Sequence, residues 1–101
     1  MFITIVSATY IKEYLIQCTF SDDKIGVVDL FPFLCGPVFE PLKNKEDFQK
    51  FSVDPDLETI VWENGADFAP EFLYFHAFKD DETLKSRFVS WGYLPKKESI
   101  A

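Results

Sequence analysis

The chain has 101 residues, 48% of them hydrophobic and 27% charged, which suffices for one globular domain and is too little for two ordinary domains. Its net charge of −7 argues against direct contact with nucleic acid or an anionic membrane surface, because both would repel it, and favours a basic protein partner. The twelve Phe, four Tyr and two Trp exceed the usual need of so small a core, which predicts that some rings lie at an interface.

The first 30 residues predict an antiparallel meander of three strands. The opening apolar segment lacks a basic flank and is interrupted by Lys12 and Glu13, which is typical of a strand and not of a signal peptide or membrane span. We therefore expect a cytoplasmic protein. Apolar and polar residues then alternate with a period of two, and residues 21–24 have the composition of a turn. One face of the second strand is predicted to carry Tyr14, Ile16, Cys18 and Phe20.

The segment FPFLCGPVFEPL, residues 31–42, carries three prolines and a glycine among large apolar residues. This composition excludes a long helix and a ladder strand, and it predicts a buried, irregular lid. Two cysteines are too few for a disulfide framework. We expect Cys18 and Cys35 to be reduced and buried.

A short helix and two further strands are predicted next. Asn44 has the side chain of an N-cap, and the helix after it directs Phe48 and Phe51 inward. Residues 52–54 predict a fourth strand, and the β-branched residues of 59–62 predict a fifth.

The stretch after the fifth strand predicts a turn followed by a helix. Asn64 and Gly65 both tolerate positive φ, which indicates a tight turn. Pro70 suits the first turn of a helix, Glu71 complements the helix dipole, and the Asp67 carboxylate could accept a hydrogen bond from a free amide.

The large apolar side chains around this turn could pack internally or meet a partner. Trp62 could be an exposed anchor or pack under the helix, and we favour core packing. The helix is apolar on two sides, so something besides the sheet must cover it. Its two apolar stripes consist of Phe68, Phe72 and Phe75, and of Tyr74 and Phe78.

A C-terminal helix is the candidate cover. Asp80 or Asp81 can cap it, and Gly92 can end it after Trp91. The domain organisation we predict is a core of residues 1–78, with a helix and tail of residues 79–101 packing on the same domain.

Three groups of polar residues are candidates for a chemical role. His76 lies among apolar residues and is expected to be structural, like most lone histidines. The acidic run at Asp54, Asp56 and Glu58 lacks the glycine and the terminal glutamate of a calcium loop. Carboxylates for acid and base catalysis could come from Glu63, Asp67 and Glu71, but turn and cap roles already account for two of them. We therefore predict no catalytic, cofactor-binding or metal-binding residue, and no cofactor.

Several segments together resemble the bacterial domain-of-unknown-function family 2442 (DUF2442) over about residues 2–78. The most specific is Ile60-Val61-Trp62-Glu63-Asn64-Gly65-Ala66-Asp67, followed by Pro70-Glu71-Phe72-Leu73-Tyr74. The others are Tyr14-Leu15, Phe20-Ser21-Asp22, Gly26-Val27-Val28-Asp29-Leu30, Phe39-Glu40-Pro41-Leu42 and Asp47-Phe48. The chain differs from the common family pattern at Asp23, Glu58 and Glu63. These differences affect the turn types that are expected at those positions.

The resemblance implies a small α+β domain without established enzymatic activity. Some relatives continue into a helix-turn-helix, and the family is often considered together with a small companion protein in toxin and antitoxin-like pairs. Residues 79–101 are too few for a helix-turn-helix, so DNA binding is not carried over.

We therefore expect an α+β domain with a small antiparallel sheet of four or five strands and two or three short helices on one face. The expected function is a non-catalytic, antitoxin-like protein-binding module that contacts a basic partner, and the alternative is a self-associating homodimer. The third hypothesis is a small carboxylate-dependent enzyme. The candidate partner surface comprises Trp62, Glu63, Asn64, Asp67, Phe75 and Phe78.

Overall fold

A computed structural model describes residues 2–95. Within this range the chain forms three strands, one α-helix, two further strands and two further α-helices, in that order. The strands are β1 (Ile5–Lys12), β2 (Leu15–Phe20), β3 (Ile25–Asp29), β4 (Ser52–Asp54) and β5 (Thr59–Val61). The helices are α1 (Lys45–Phe48), α2 (Pro70–Phe78) and α3 (Lys85–Trp91), with 3-10 turns at Phe31–Phe33, Glu40–Lys43 and Glu82–Leu84.

The strands form two antiparallel sheets. The first has the order β1-β2-β3 and the second pairs β4 with β5. The amide of Ile5 donates to the carbonyl of Glu58 at 2.9 Å, which joins the two sheets at one point. The α+β class and the N-terminal meander are thus confirmed, while the strands are divided between two small sheets.

The inner face of the meander is the floor of the core. Ile16, Cys18 and Phe20 are each fully buried, as the period-two pattern predicts. Helix α2 lies close against β3 because Gly26 has no side chain there. A Cβ at that position would lie 2.9 Å from the Cβ of Ala77.

Residues 31–42 differ in part from the predicted buried lid. Leu34 and Leu42 are buried and anchor the segment, while residues 35–38 between them are exposed. Cys35 is therefore exposed, contrary to the expectation, whereas Cys18 is buried. The prolines and Gly36 allow the chain to leave the core between two anchors.

The predicted helix ends are largely confirmed. The Asn44 side chain accepts hydrogen bonds from the amides of Glu46 and Asp47 at the start of α1. Asp81 caps the 3-10 turn that leads into α3, and Gly92 ends α3 with a φ of 89°. A left-handed residue at this position is what a helix C-terminus commonly requires.

Most aromatic rings pack inside the domain. Within the described chain only Phe2 and Phe31 are exposed, and every other Phe, Tyr or Trp is buried or half-buried. Both apolar sides of α2 are covered: Phe33 contacts Phe72 of the first stripe at a centroid distance of 4.9 Å, and Trp91 of α3 contacts Tyr74 of the second at 5.7 Å. The aromatic surplus therefore packs mainly within the molecule.

Candidate functional site

The turn after β5 has the geometry of a short hairpin loop. The amide of Trp62 donates to the carbonyl of Ala66 at 2.9 Å, and the amide of Gly65 donates to the carbonyl of Trp62 at 3.0 Å. Gly65 has a φ of 90°, which glycine adopts at little cost. The Asn64 side chain accepts from the amide of Ala66 and donates to the carbonyl of Val38 at 2.8 Å. The Asn-Gly turn is confirmed. The side-chain amide of Asn64 also holds the exposed segment 35–38 through its hydrogen bond to Val38.

Trp62 lies in the core. Its indole N–H donates to the carbonyl of Phe48 at 2.8 Å, and only 4% of the residue is exposed. The ring also contacts Phe51 and Phe68. Core packing, the favoured alternative, is therefore correct, and the indole cannot be the exposed anchor of a partner surface.

The other two aromatic members of the expected partner surface are also engaged internally. Phe75 is 9% exposed and stacks on Tyr93 at a centroid distance of 5.1 Å. Phe78 is half-buried and contacts Phe20 at 5.6 Å. The exposed members of the expected surface are thus Glu63, Asn64 and Asp67.

The Asp67 side chain does not cap α2. The N-cap residue is Ala69, and no side chain accepts a hydrogen bond there. Asp67 instead continues the hairpin, since it forms an antiparallel bridge with Val61. A helix that begins at Pro70 has one fewer free amide to satisfy, which reduces the need for a cap. Glu71 lies in the first turn as expected.

A small cleft lies beside this turn. It has a volume of about 140 Å³. Residues of three separate segments line it: Pro41, Leu42, Asp47, Lys50, Trp62, Glu63 and Asn64. Each of these segments contributes residues to the DUF2442 resemblance, and the fold brings them together at one place.

The six acidic residues between 54 and 71 share one property. Within residues 2–95 none of these six carboxylates forms an ion pair. All four Lys–carboxylate pairs use other acids, namely Lys43–Glu40, Lys45–Glu13, Lys50–Asp47 and Lys85–Glu82. Asp54 has a local role, since its side chain accepts from the amides of Asp56 and Leu57. The remaining carboxylates of the series have no ion-pair partner among residues 2–95.

A polar link that the sequence did not reveal joins α2, α3 and the β2–β3 turn. The Tyr74 hydroxyl donates to the Asp22 carboxylate at 2.7 Å and accepts from Arg87 at 3.2 Å. Burial and the Asp22 carboxylate raise the pKa of Tyr74 to about 12. Asp22 and Arg87 are 65 positions apart, and no local pattern could have paired them.

The two cysteines have different environments. Burial raises the pKa of the Cys18 thiol to about 12, so it stays protonated and unreactive. Cys35 is exposed, and neither residue is in a disulfide.

His76 is half-buried beside the rings of Phe33 and Phe72, at centroid distances of 4.6 and 4.4 Å. Burial, followed by the charge of Lys79, lowers its pKa from the ordinary value of 6.5. Burial therefore favours the neutral form of the imidazole in the folded protein. No chemical role for it follows from this packing.

We expect His76 to make stability depend on pH. Because its pKa is lower in the folded state, the unfolded chain takes up the proton first as the pH falls below about 6.5. The contribution of His76 is fully present above that value and is lost as the pH falls through the folded-state pKa. Urea denaturation at pH 7.5 and 5.5 should show a larger loss of stability for the wild type than for His76→Gln. Equal losses would contradict the assignment.

The described residues contain no group of three or more His, Cys, Asp or Glu side chains placed to hold a metal ion. None of the described helices is both long enough and apolar enough to cross a membrane.

A solved structure similar to this chain is the crystal structure of "Putative DNA Binding Protein NE0471" from Nitrosomonas europaea ATCC 19718. The two share 16% sequence identity with a TM-score of 0.71, and the match covers 93% of this chain and 63% of that one. At this identity the likeness concerns the fold alone. No curated protein matches the chain.

The family model for proteins of unknown function DUF2442 matches residues 5–79. This range contains both sheets, α1 and α2, the hairpin turn and the cleft beside it. The chain therefore belongs to the DUF2442 family.

Proposed function

We propose that this protein is a non-catalytic, antitoxin-like binding module that meets a basic partner protein through the carboxylates between residues 54 and 71. The observation that carries the proposal is the contrast in ion pairing. Of the ten other acids that the structure describes, four pair with a nearby Lys, whereas none of the six consecutive acids of this series does. Unneutralised charge on one segment attracts a partner of opposite sign and raises its association rate.

The exposure of the candidate catalytic carboxylates supports a non-catalytic role. Glu63 and Asp67 are exposed, and Glu71 is half-buried at the start of a helix. Carboxylates that act as acid and base commonly need burial or partners to separate their pKa values. The cleft beside Glu63, at about 140 Å³, is also small compared with the roughly 300–1,000 Å³ of ordinary ligand pockets.

The name of the Nitrosomonas europaea protein raises DNA binding as a further function. In this chain the net charge of −7 opposes contact with phosphates, which normally supply most of the non-specific affinity for DNA. We therefore do not extend that function to this chain. Two cysteines outside any disulfide support a reducing compartment, and we place the protein in the cytoplasm.

Self-association is the second candidate function. The edge strand β3 exposes Ile25 by 58% and Val27 by 45%, and an open strand edge can pair with another copy. Two copies that each carry −7 repel one another, so we rank this candidate below the basic partner. Light scattering on the purified protein separates the two, because a stable dimer favours self-association.

Capture from native lysate at low salt, with two charge-matched variants, tests the leading proposal. The first variant, Asp56→Asn/Glu58→Gln/Asp67→Asn, removes three exposed carboxylates of the series. The second, Asp23→Asn/Glu46→Gln/Asp80→Asn, removes three exposed carboxylates outside it. Both variants have the same net charge.

We expect the wild type and the second variant to retain a stoichiometric basic protein. Three lost surface pairs should weaken binding by the first variant roughly 3- to 100-fold. Binding should also weaken as salt is added, because exposed charges are screened. Equal capture by all three proteins, or no stoichiometric protein at low salt, would contradict the proposal.

A further inference from the structure

The walls of the cleft beside Trp62 are held in place by the fold. The Trp62 indole is fixed by its hydrogen bond to Phe48, and the Asn64 amide by its bonds to Val38 and Ala66. Leu42 is 3% exposed. A cavity with fixed walls needs little rearrangement on binding, which lowers the entropic cost.

The volume restricts what can enter. At about 140 Å³ the cleft is too small for most metabolites or cofactors, and it has room for about one long side chain. Its apolar lining comes from Pro41, Leu42 and Trp62. Such a lining suits a hydrocarbon stem that carries a polar group at its end.

The charges of the lining select a cation. Asp47 and Glu63 contribute carboxylates, while Lys50 contributes one ammonium group 3.9 Å from the Asp47 carboxylate. Within the described residues the Glu63 carboxylate has neither an ion pair nor a hydrogen bond. An incoming cation would therefore meet the unpaired Glu63 carboxylate, and the lining as a whole carries two carboxylates against one ammonium group.

We propose that this cleft receives one arginine side chain of the basic partner. The inference rests on the proposed function, and it identifies the contact that would anchor the basic partner to this protein. Arginine fits better than lysine because its planar guanidinium can form two parallel hydrogen bonds with a single carboxylate such as that of Glu63, and it stacks on aromatic rings. A buried arginine in a fixed pocket is also a common energetic centre of protein interfaces.

Nuclear magnetic resonance with Nα-acetyl-arginine amide as the probe tests this assignment. The indole N–H signal of Trp62 reports on the cleft, and that of Trp91, in α3, serves as the internal reference. We expect a saturable shift of the Trp62 signal alone, in the millimolar range that suits a single anchoring group. Nα-acetyl-citrulline amide, which has a similar shape without the charge, should bind at least about tenfold more weakly.

Two single variants supply the matched comparison. Glu63→Gln removes the unpaired carboxylate of the cleft and should weaken arginine binding by roughly threefold or more. Glu46→Gln removes an exposed carboxylate of α1 that does not line the cleft, and it should leave binding unchanged.

Four results would overturn the assignment: no shift at Trp62, equal binding of citrulline, an equal effect of the two variants, or a Trp62 shift caused by protein concentration alone. The last would indicate that a second copy occupies the cleft. The capture experiment is independent, because Asp56, Glu58 and Asp67 do not line the cleft. Loss of arginine binding with capture retained would reject the anchor and leave the proposed function standing.

Discussion

Replacement of Phe88 by alanine is expected to lower the free energy of unfolding by about 3–5 kcal/mol. Phe88 is fully buried, and its ring contacts Phe75 at 4.9 Å, Trp91 at 5.9 Å and Tyr74 at 6.1 Å. The substitution removes apolar contacts and leaves a cavity where α2 meets α3. Because small domains are stable by only about 5–15 kcal/mol, this loss is a large fraction of the total.

The experiment also tests whether α3 belongs to the same cooperative unit as the sheets. Phe88 lies beyond residues 5–79, which the family model matches. Denaturant unfolding followed by the indole signals of Trp62 and Trp91 should give one coincident transition, shifted in the variant at both positions.

Ser90→Ala is the control for Phe88→Ala. Ser90 is exposed in the same helix, and its replacement should change stability by less than about 0.5 kcal/mol. If Phe88→Ala shifted the Trp91 transition and left the Trp62 transition unchanged, α3 would be an appendage that unfolds separately.

The elements predicted well from sequence are those with a strong local signal. The alternation from Ile16 to Phe20 specifies a half-buried strand, because successive side chains of a strand point to opposite faces. Asn44 and Gly65 also act locally, since a cap and a tight turn depend on the residue itself and its near neighbours.

The errors concern positions that depend on distant contacts. Asp67 is a plausible cap three residues before Pro70, but its pairing with Val61 extends the hairpin and leaves Ala69 as the N-cap. Cys35 has an apolar neighbourhood in the sequence, yet its segment leaves the core between two leucine anchors. Local composition does not specify which part of an irregular segment is buried.

The candidate site was predictable only in part. The acidic series from 54 to 71 is visible in the sequence, but its lack of ion pairs with the described lysines follows from where those lysines lie in the fold. The cleft joins residues near 41, 47 and 63, which no periodic pattern relates. Such a site arises from tertiary packing, as does the contact of Tyr74 with Asp22 and Arg87.

Replacement of Trp62 by phenylalanine is expected to cost about 2–4 kcal/mol of stability although the core position stays aromatic. Phenylalanine has no N–H group, so the buried carbonyl of Phe48 would lose the donor that now lies 2.8 Å away. An unpaired buried polar group costs about 1–3 kcal/mol, and the smaller ring adds the effect of a cavity. The loss should appear as a lower midpoint of urea unfolding with an unchanged slope.

Trp91→Phe makes the same chemical change at a position with a different environment. Trp91 is half-buried, and within residues 2–95 its indole N–H donates no hydrogen bond, so this variant should lose less than about 1 kcal/mol. The difference between the two variants measures what the Trp62–Phe48 hydrogen bond and the tighter packing contribute. Equal losses would mean that the indole N–H does not stabilise the junction of α1 with the hairpin, and that the fixed wall of the cleft has another origin.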